Sequence, residues 1–230
     1  MSNRAIIKQA FLRTIPVMMG YVVLGVAFGL LLQNAGYHWV WALGISLFVF
    51  AGSMQFVLVG LLVQQASLTT VAITTLLVNS RHLFYGLSFI EKFKRMGKRG
   101  LYMIFALTDE TYALLCGVGE VGSDEGRDKL AWWIAILDQS YWVIGSTLGA
   151  VLGSFITFNI TGIDFAMTAL FTVIVVEQWL NSKSHLPAII GFVCAVLSLV
   201  WLGPAQFLLP ALIVTVMILL VMRNVLEPQV

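Results

Sequence analysis

Eight long apolar runs, separated by short polar links, cover most of the chain. A helix needs ~20 apolar residues to cross a bilayer. The pattern therefore predicts an all-α, polytopic membrane protein with about six to eight crossings. The runs are 16–32, 40–63, 68–90, 101–118, a fifth that starts near 130, 165–180, 186–202 and 207–222.

Polar residues interrupt the second run at its centre, where Ala51 to Phe56 read AGSMQF. Gly52 and Ser53 can break a helix, and Gln55 places an amide deep in the run. Membranes tolerate a broken helix only where protein or a water-filled cavity surrounds its backbone, and in transporters such breaks often hold the substrate. We expect a break at Gly52–Ser53; the alternative is a continuous helix with a tight glycine contact.

The third run contains Asn79-Ser80-Arg81-His82. An arginine at the bilayer centre costs roughly 2.5–3.5 kcal/mol on insertion scales, so it usually faces protein or a watery pathway. On one continuous helix, Thr75, Asn79, His82 and Gly86 would share a face. The segment favours a substrate or ion site; the alternative is a structural arginine that snorkels or pairs with a helix end.

Carboxylates lie in the next three runs. Asp109 and Glu110 are adjacent in the fourth, Asp138 lies in the fifth, and Glu177 ends the sixth. Neighbours on a helix point about 100° apart, so Asp109 and Glu110 cannot easily share one proton. One of them would pair with Arg81 while the other titrates, which suits a proton-coupled cycle.

Composition and charge define the class and the topology. The chain is 60% hydrophobic and 10% charged, against roughly 25% charged residues in soluble domains. The N-terminal arm and the segment 92–99 are both basic, so both are expected on the cytoplasmic side. Three full crossings cannot join two points on one side, so the run broken at Gly52 is the best candidate for a re-entrant hairpin. The net acidic segment 119–129 fits the outer side.

A faint internal repeat divides the chain near residue 125. We expect a single transmembrane domain, 1–230, with half-repeats 1–124 and 125–230. With three crossings in each half, the halves would be inverted, an arrangement common in transporters. The repeat aligns Tyr21, Gly25 and Gly29 with Tyr141, Gly145 and Gly149, and Phe48 and Gln55 with Phe171 and Gln178.

Three segments in order, AGSMQF at 51–56, NSRHLFYG at 79–86 and LTDET at 107–111, together resemble the AzlC family of branched-chain amino-acid permeases. The likeness extends through nearly the whole chain. It implies the large subunit of a bacterial inner-membrane exporter of L-valine and related amino acids, with a cytoplasmic N-terminus. It also implies a partner, a small hydrophobic AzlD-type membrane subunit.

An amino-acid substrate needs a cation for its carboxylate, an acceptor for its ammonium and an apolar slot for its side chain. Arg81, aided by N–H groups at the Gly52 break, suits the carboxylate, and a buried carboxylate suits the ammonium. We therefore expect one group of side chains to bind substrate and another to carry protons or form ion pairs. The first group is Gly52, Ser53, Gln55, Asn79, Arg81 and His82, and the second is Asp109, Glu110, Asp138 and Glu177.

Two other classes remain as alternatives. An intramembrane enzyme would use Ser53 as nucleophile and His82 as base, but the chain has neither Gly-x-Ser-x-Gly nor His-Glu-x-x-His. An ion channel would need filter-type repeats, which the sequence lacks. We expect a transporter without catalytic residues, metal, cofactor or nucleic-acid partner.

Overall fold

The computed structural model describes residues 3–118, 123–155, 164–181, 184–203 and 207–222. The side chains of Arg81 and Glu177 lie outside this description. All regular structure in the described ranges is α-helical, which confirms the predicted fold class. The helices are α1 (Asn3–Asn34), α2 (Trp39–Phe48), α3 (Gly52–Val63), α4 (Leu68–Val78), α5 (Arg81–Arg95), α6 (Lys98–Phe105), α7 (Asp109–Cys116), α8 (Asp124–Phe155), α9 (Asp164–Asn181), α10 (Leu186–Leu202) and α11 (Leu208–Val221).

Within these ranges, α1 is the helix whose length and apolar composition suffice for a membrane crossing. Five further apolar helices have only 10–17 residues. Three of the five, α2, α3 and α4, are short because the second and third apolar runs are each broken into two helices at their polar motif, and the fourth run is broken in the same way.

The second run breaks at Val49–Ala51, immediately before the predicted site. Phe50 has a left-handed φ of 41°, a conformation that costs a residue with a side chain about 1–2 kcal/mol. The side chain of Gln55 accepts a hydrogen bond from the backbone N–H of Ala51, at 3.2 Å. A break in the second run is confirmed, but it lies at Val49–Ala51 and not at Gly52–Ser53, which both belong to α3.

The sequence predicted one continuous helix for the third run, but the structure has two. α4 ends at Val78, Asn79 and Ser80 form a turn, and α5 begins at Arg81. Thr75 therefore does not share a helical face with Asn79 and His82. Asn and Ser have lower helix propensity than the apolar residues around them, which is consistent with an interruption at these two residues.

The fourth run is broken as well, so the prediction of a mid-helix carboxylate pair is wrong. Thr108 has extended backbone, and its hydroxyl accepts a hydrogen bond from the N–H of Thr111 at 3.3 Å, which makes it the N-cap of α7. Asp109 and Glu110 occupy the first turn, where the helix dipole stabilises negative charge.

The chain forms two compact units, Met1–Val63 with Asn79–Ala166, and Gln64–Val78 with Met167–Val230. The first unit holds α1, α2, α3 and α5 to α8. In the second, α10 packs on α11 and α11 on α4, and the rings of Trp179 and His185 stack 4.0 Å apart. The half-repeats at 1–124 and 125–230 do not coincide with these units and stay a prediction.

The first unit is built on close contact between α1 and α8. A Cβ added at Gly25 would lie 2.9 Å from the backbone N of Ser146, and one at Gly145 would lie 2.8 Å from the backbone O of Val22. Gly29 and Gly149 meet the backbone of the opposite helix even more closely. The two backbones thus touch along the glycine positions of the predicted repeat.

The contacts also give the direction of the two helices. Gly25 lies beside Gly145, and Gly29 lies beside Gly149, so α1 and α8 run parallel. Inverted repeats would make equivalent helices antiparallel. The predicted inversion therefore does not hold for this pair.

Helices α2 and α3 form a hairpin that enters from the end at which α1 and α8 finish, here called the carboxy end. α2 starts just after α1, and Leu47 near its end contacts Gln139 in mid-α8. Gly52 packs on Trp142, and Phe56 then contacts Phe28, beyond Gly25 on α1. The chain thus runs to the middle of the α1–α8 pair and turns back as a hairpin. That this hairpin enters and leaves the membrane on one side stays a prediction.

Helices α5, α6 and α7 occupy the other half of the pair, its amino end. Arg95 at the end of α5 pairs with Asp128 of α8 at 3.0 Å. Arg99 lies over the ring of Trp132, 5.2 Å from its centroid. Arg13 of α1 donates a hydrogen bond to the carbonyl of Gly117 at 2.9 Å. The two basic segments therefore lie at the same end, as predicted.

The acidic start of α8 lies at this end too, whereas the sequence placed it on the outer side. Asp124 and Asp128 both pair with Arg95, so the acidic and basic segments face each other. Lys129 lies 2.7 Å from Glu125, and this hydrogen bond holds the pKa of the Glu125 carboxyl below its ordinary value.

We predict that cysteines at positions 96 and 123 react with a membrane-impermeant thiol reagent from one and the same side. Met96→Cys and Ser123→Cys would be compared after replacement of the two native cysteines, the exposed Cys116 and the buried Cys194. Labelling of the two positions from opposite sides would contradict the arrangement of the amino end.

We predict that Gly29→Ala lowers the free energy of unfolding by about 1–3 kcal/mol, because overpacking forces the touching backbones apart. Gly20→Ala is the matched control on the same helix, since no atom lies within 4 Å of an added Cβ there. The measurement is unfolding of the purified protein in detergent. Equal stability of the two variants would show that the α1–α8 contact is looser than described.

Candidate functional site

Polar side chains of α1, α8 and the start of α7 meet near the middle of the α1–α8 pair. We define the polar centre as Tyr21 of α1, Asp138 of α8, and Thr108, Glu110 and Thr111 at the start of α7. The hydroxyl of Tyr21 donates to Glu110 Oε2 at 2.6 Å and lies 2.7 Å from the hydroxyl of Thr108. Thr108 contacts Thr111 at 3.1 Å, and Thr111 contacts Asp138 Oδ2 at 2.9 Å.

Asp138 is the deepest carboxylate among the described residues, with 0% of its surface exposed. Its Oδ2 is held by Thr111, but within the described part of the chain Oδ1 has no hydrogen-bond partner. A buried acceptor without a partner is rare and costly. The arrangement suits an oxygen that receives a proton or a bound cation.

A second polar group lies where α5 and α7 begin. His82 Nε2 is 3.8 Å from Asp109 Oδ1, an ion pair when the imidazole is protonated. His82 Nδ1 lies 3.2 Å from the carbonyl of Asn79. The side-chain Oδ1 of Asn79 is buried without a partner in the described ranges. These three predicted residues thus come together at the Asn79–Ser80 turn.

Gln55 ties the α2–α3 hairpin to α8. Its Oε1 accepts from the indole N–H of Trp142 at 2.9 Å as well as from Ala51, and its amide donates to Ser46 at 3.2 Å. Gly52 lies against the Trp142 ring, which is 3.2 Å from a Cβ added there. Oε1 accepts two hydrogen bonds and the amide nitrogen donates one within the protein, so this geometry favours a role for Gln55 in holding the hairpin tip.

Two further contacts fix the helices around the polar centre. Tyr102 of α6 donates to Gln139 of α8 at 2.7 Å, and Gln139 donates to the carbonyl of Leu47 at 3.0 Å. The carbonyl lies at the end of α2 and would otherwise lack a helical partner. Thr14 and Tyr141 share a buried hydrogen bond at 3.0 Å.

The predicted site residues therefore fall into three groups. Glu110 and Asp138 belong to the polar centre, Asn79, His82 and Asp109 lie at the turn, and Gly52 and Gln55 support the hairpin. Ser53 follows Gly52 on α3, Arg81 opens α5, and Glu177 lies on α9 in the other unit. The roles assigned to all ten residues stay predictions.

Sequence reasoning missed Thr108, Thr111 and Trp142, and it used Tyr21 only as a marker of the repeat. Thr108 and Thr111 carried a usable signal, because Thr followed by Asp-Glu-Thr is typical of a helix start. No signal identified Trp142, whose partner is 87 positions away. Among the described residues, no group of three or more His, Cys, Asp or Glu side chains is placed to hold a metal.

Buried polar groups at the ends of broken apolar helices are typical of membrane transport proteins. The chain is 42% identical over 220 residues to an uncharacterized membrane protein of Helicobacter pylori, covering 96% of both chains. It is 37% identical over 223 residues to the branched-chain amino acid transport protein AzlC of Bacillus subtilis, covering 97% of this chain and 87% of that protein. The protein is thus a helical membrane protein of a transport family.

The family is defined by a sequence model described as AzlC protein, which matches residues 16–156. The chain belongs to the AzlC family. It is also 30% identical over 145 residues to the inner membrane protein YgaZ of Escherichia coli, covering 61% of this chain and 58% of that protein. No solved structure matches it.

We predict that Gln55→Leu destabilises the protein by about 1–3 kcal/mol, because the buried N–H groups of Trp142 and Ala51 lose their acceptor. Gln64→Leu makes the same change at an exposed position and serves as the control. Thermal unfolding in detergent, followed by tryptophan fluorescence, measures both. Equal stability of the two variants would show that Gln55 does not hold the α2–α3 hairpin against α8.

Proposed function

We propose that the protein is a secondary transporter that exports branched-chain amino acids such as L-valine across the bacterial inner membrane. It would act as the large subunit of a two-component exporter and draw on the proton gradient. The family and the name of the Bacillus subtilis relative support the substrate class. The observation that carries the proposal is the bare Oδ1 of buried Asp138, an acceptor suited to the substrate ammonium.

The substrate carboxylate would bind at the start of α5. The first N–H groups of a helix are unsatisfied and carry partial positive charge, which makes a helix start a site for anions. Arg81 opens this helix, and a guanidinium pairs with a carboxylate through two hydrogen bonds. Asn79 and His82 flank it and would complete the polar end of the site.

Proton coupling would use the carboxylates already assembled around the polar centre. Asp138 and Glu110 are linked through hydroxyls, and Asp109 lies beside His82. Binding of an ammonium at Asp138 favours its charged form, whereas an empty site favours the protonated form. The exchange of one cation for the other would couple amino-acid movement to proton movement.

The partner would be a small, hydrophobic, AzlD-type membrane subunit, as the family resemblance implies. The exposed apolar residues along α10 and α11 supply surface for lipid or for such a subunit. With basic segments in the N-terminal arm and in 92–99, the amino end would face the cytoplasm.

We predict that Asp138→Asn reduces amino-acid transport by about ten- to hundredfold, the loss expected when a charge-assisted hydrogen bond is removed. Purified protein, with and without the small subunit, would be reconstituted in liposomes, and labelled valine would be followed under an imposed pH gradient. Glu125→Gln, a change at an exposed carboxylate of the same helix, should transport normally.

Arg81 is tested in the same vesicles. Arg81→Ala should abolish transport and Arg81→Lys should restore little, because an ammonium cannot form the two-pronged contact of a guanidinium. Normal transport by Asp138→Asn or by Arg81→Ala, at normal abundance, would contradict the proposed substrate site. Valine movement unaffected by collapse of the pH gradient would contradict proton coupling alone.

A further inference from the structure

Four short oxygen–oxygen contacts connect two carboxyl groups through three hydroxyls. The contacts run from Glu110 Oε2 to Tyr21 at 2.6 Å, from Tyr21 to Thr108 at 2.7 Å, from Thr108 to Thr111 at 3.1 Å, and from Thr111 to Asp138 Oδ2 at 2.9 Å. All are close to hydrogen-bond lengths for oxygen pairs. This hydrogen-bond chain begins at Glu110 on α7, passes to Tyr21 on α1, returns to Thr108 and Thr111 at the start of α7, and ends at Asp138 on α8.

A proton count shows that three hydroxyls are not enough for four hydrogen bonds. Each hydroxyl donates one proton, and an ionised carboxylate donates none. If Glu110 and Asp138 were both ionised, one of the four contacts would hold two oxygens facing each other without a proton. One additional proton, on either carboxyl, completes every bond in the chain.

The surroundings of the two carboxyls indicate where this proton rests. Asp138 is fully buried and its Oδ1 has no partner among the described residues, so a negative charge there would be poorly solvated. Glu110 is only half-buried, and its Oε2 accepts a hydrogen bond from the hydroxyl of Tyr21. A protonated Asp138 and an ionised Glu110 therefore form the resting arrangement.

We propose that Glu110 and Asp138 share a single proton, which passes between them along Thr111, Thr108 and Tyr21. In one passage the proton of Asp138 moves to Thr111, that of Thr111 to Thr108, that of Thr108 to Tyr21, and that of Tyr21 to Glu110. Four O–H bonds break and four form. No electron is transferred, and the negative charge moves from Glu110 to Asp138.

This chain gives the buried carboxyl a route to solvent and, if the proposed function holds, a coupling step. An ammonium that binds at Asp138 Oδ1 would draw the negative charge to Asp138 and so deliver the proton to Glu110. Glu110 is more exposed and can release it. The shared proton itself does not depend on transport, so the two proposals can fail separately.

Other titratable groups surround the chain but are engaged elsewhere. α2 and α3 contain no titratable side chain in their sequences. The titratable side chains on the remaining helices near the polar centre each have a contact of their own: Asp109 lies beside His82, Tyr102 contacts Gln139, Tyr141 contacts Thr14, and Tyr112 packs against Phe89. The side chains of Arg81 and Tyr85 lie outside the described part of the structure.

The test is infrared spectroscopy of the substrate-free protein in lipid, which detects the C=O band of a protonated carboxyl. We expect such a band at neutral pH and its loss in Asp138→Asn. On transfer to heavy water the band should shift quickly, because the chain leads from Asp138 to the half-exposed Glu110. In Thr111→Val the shift should be about tenfold slower or more, since exchange then requires local opening of the structure.

Two controls keep the result interpretable. Thr111→Ser restores the hydroxyl and should restore rapid exchange, which separates the chain from a packing effect of Thr111→Val. Tyr21→Phe should slow exchange, whereas Tyr141→Phe, at the equivalent position of the repeat but outside the chain, should not. Absence of an Asp138-dependent band, or equal exchange in Tyr21→Phe and Tyr141→Phe, would overturn the proposal.

Discussion

The close contact between α1 and α8 is the constraint on which the polar centre depends, and α2, α3, α6 and α7 all pack against one or both of these helices. Inside a bilayer, helices gain little from burying apolar surface, so they associate through backbone packing and interhelical hydrogen bonds. Glycines on both helices allow the two backbones to touch. This contact fixes the distance and axial register between Tyr21 and Asp138, and hydrogen bonds of 2.6–3.1 Å tolerate little change in either. The geometry of the polar centre therefore depends on four glycines that have no functional side chain, namely Gly25, Gly29, Gly145 and Gly149.

The helix breaks satisfy a second constraint, because a backbone group left bare in hydrocarbon costs several kcal/mol. At two of the three breaks a neighbouring side chain takes the place of the missing helical partner. Gln55 accepts from Ala51, and Thr108 accepts from Thr111. At the third break, the His82 ring contacts the carbonyl of Asn79. At the first two breaks the polar side chains thus serve the backbone. Asp138 lies on an unbroken helix and is, among the described residues, the fully buried carboxylate with an oxygen that has no hydrogen-bond partner.

The seventh apolar run was predicted closely from the sequence, whereas the first was not, because α1 begins at Asn3 and continues through Pro16. α10 coincides with its run because His185-Leu186-Pro187 and Gly203 delimit it. The broken runs were harder to predict, because the hairpin tip also depends on a contact between distant residues, Gln55 and Trp142. The predicted repeat identified the glycines on both sides of the α1–α8 contact, yet nothing in the sequence indicated that the two helices pack together or run parallel. The acidic segment was misplaced because basic residues report topology whereas acidic residues contribute little.

The predicted repeat gives α1 and α8 matching tyrosine and glycine positions, but the buried carboxylate lies on α8 alone. The position equivalent to Asp138 at the offset of 120 is Met18, and the position equivalent to Thr14 is Ile134. Tyr21 consequently reaches a carboxylate on α7, whereas Tyr141 reaches only the hydroxyl of Thr14. A symmetric pair of buried carboxylates would repel each other or both be neutral. Among the described residues Asp138 is the one fully buried carboxylate of the polar centre, so the gain or loss of a single proton there changes the charge of the centre.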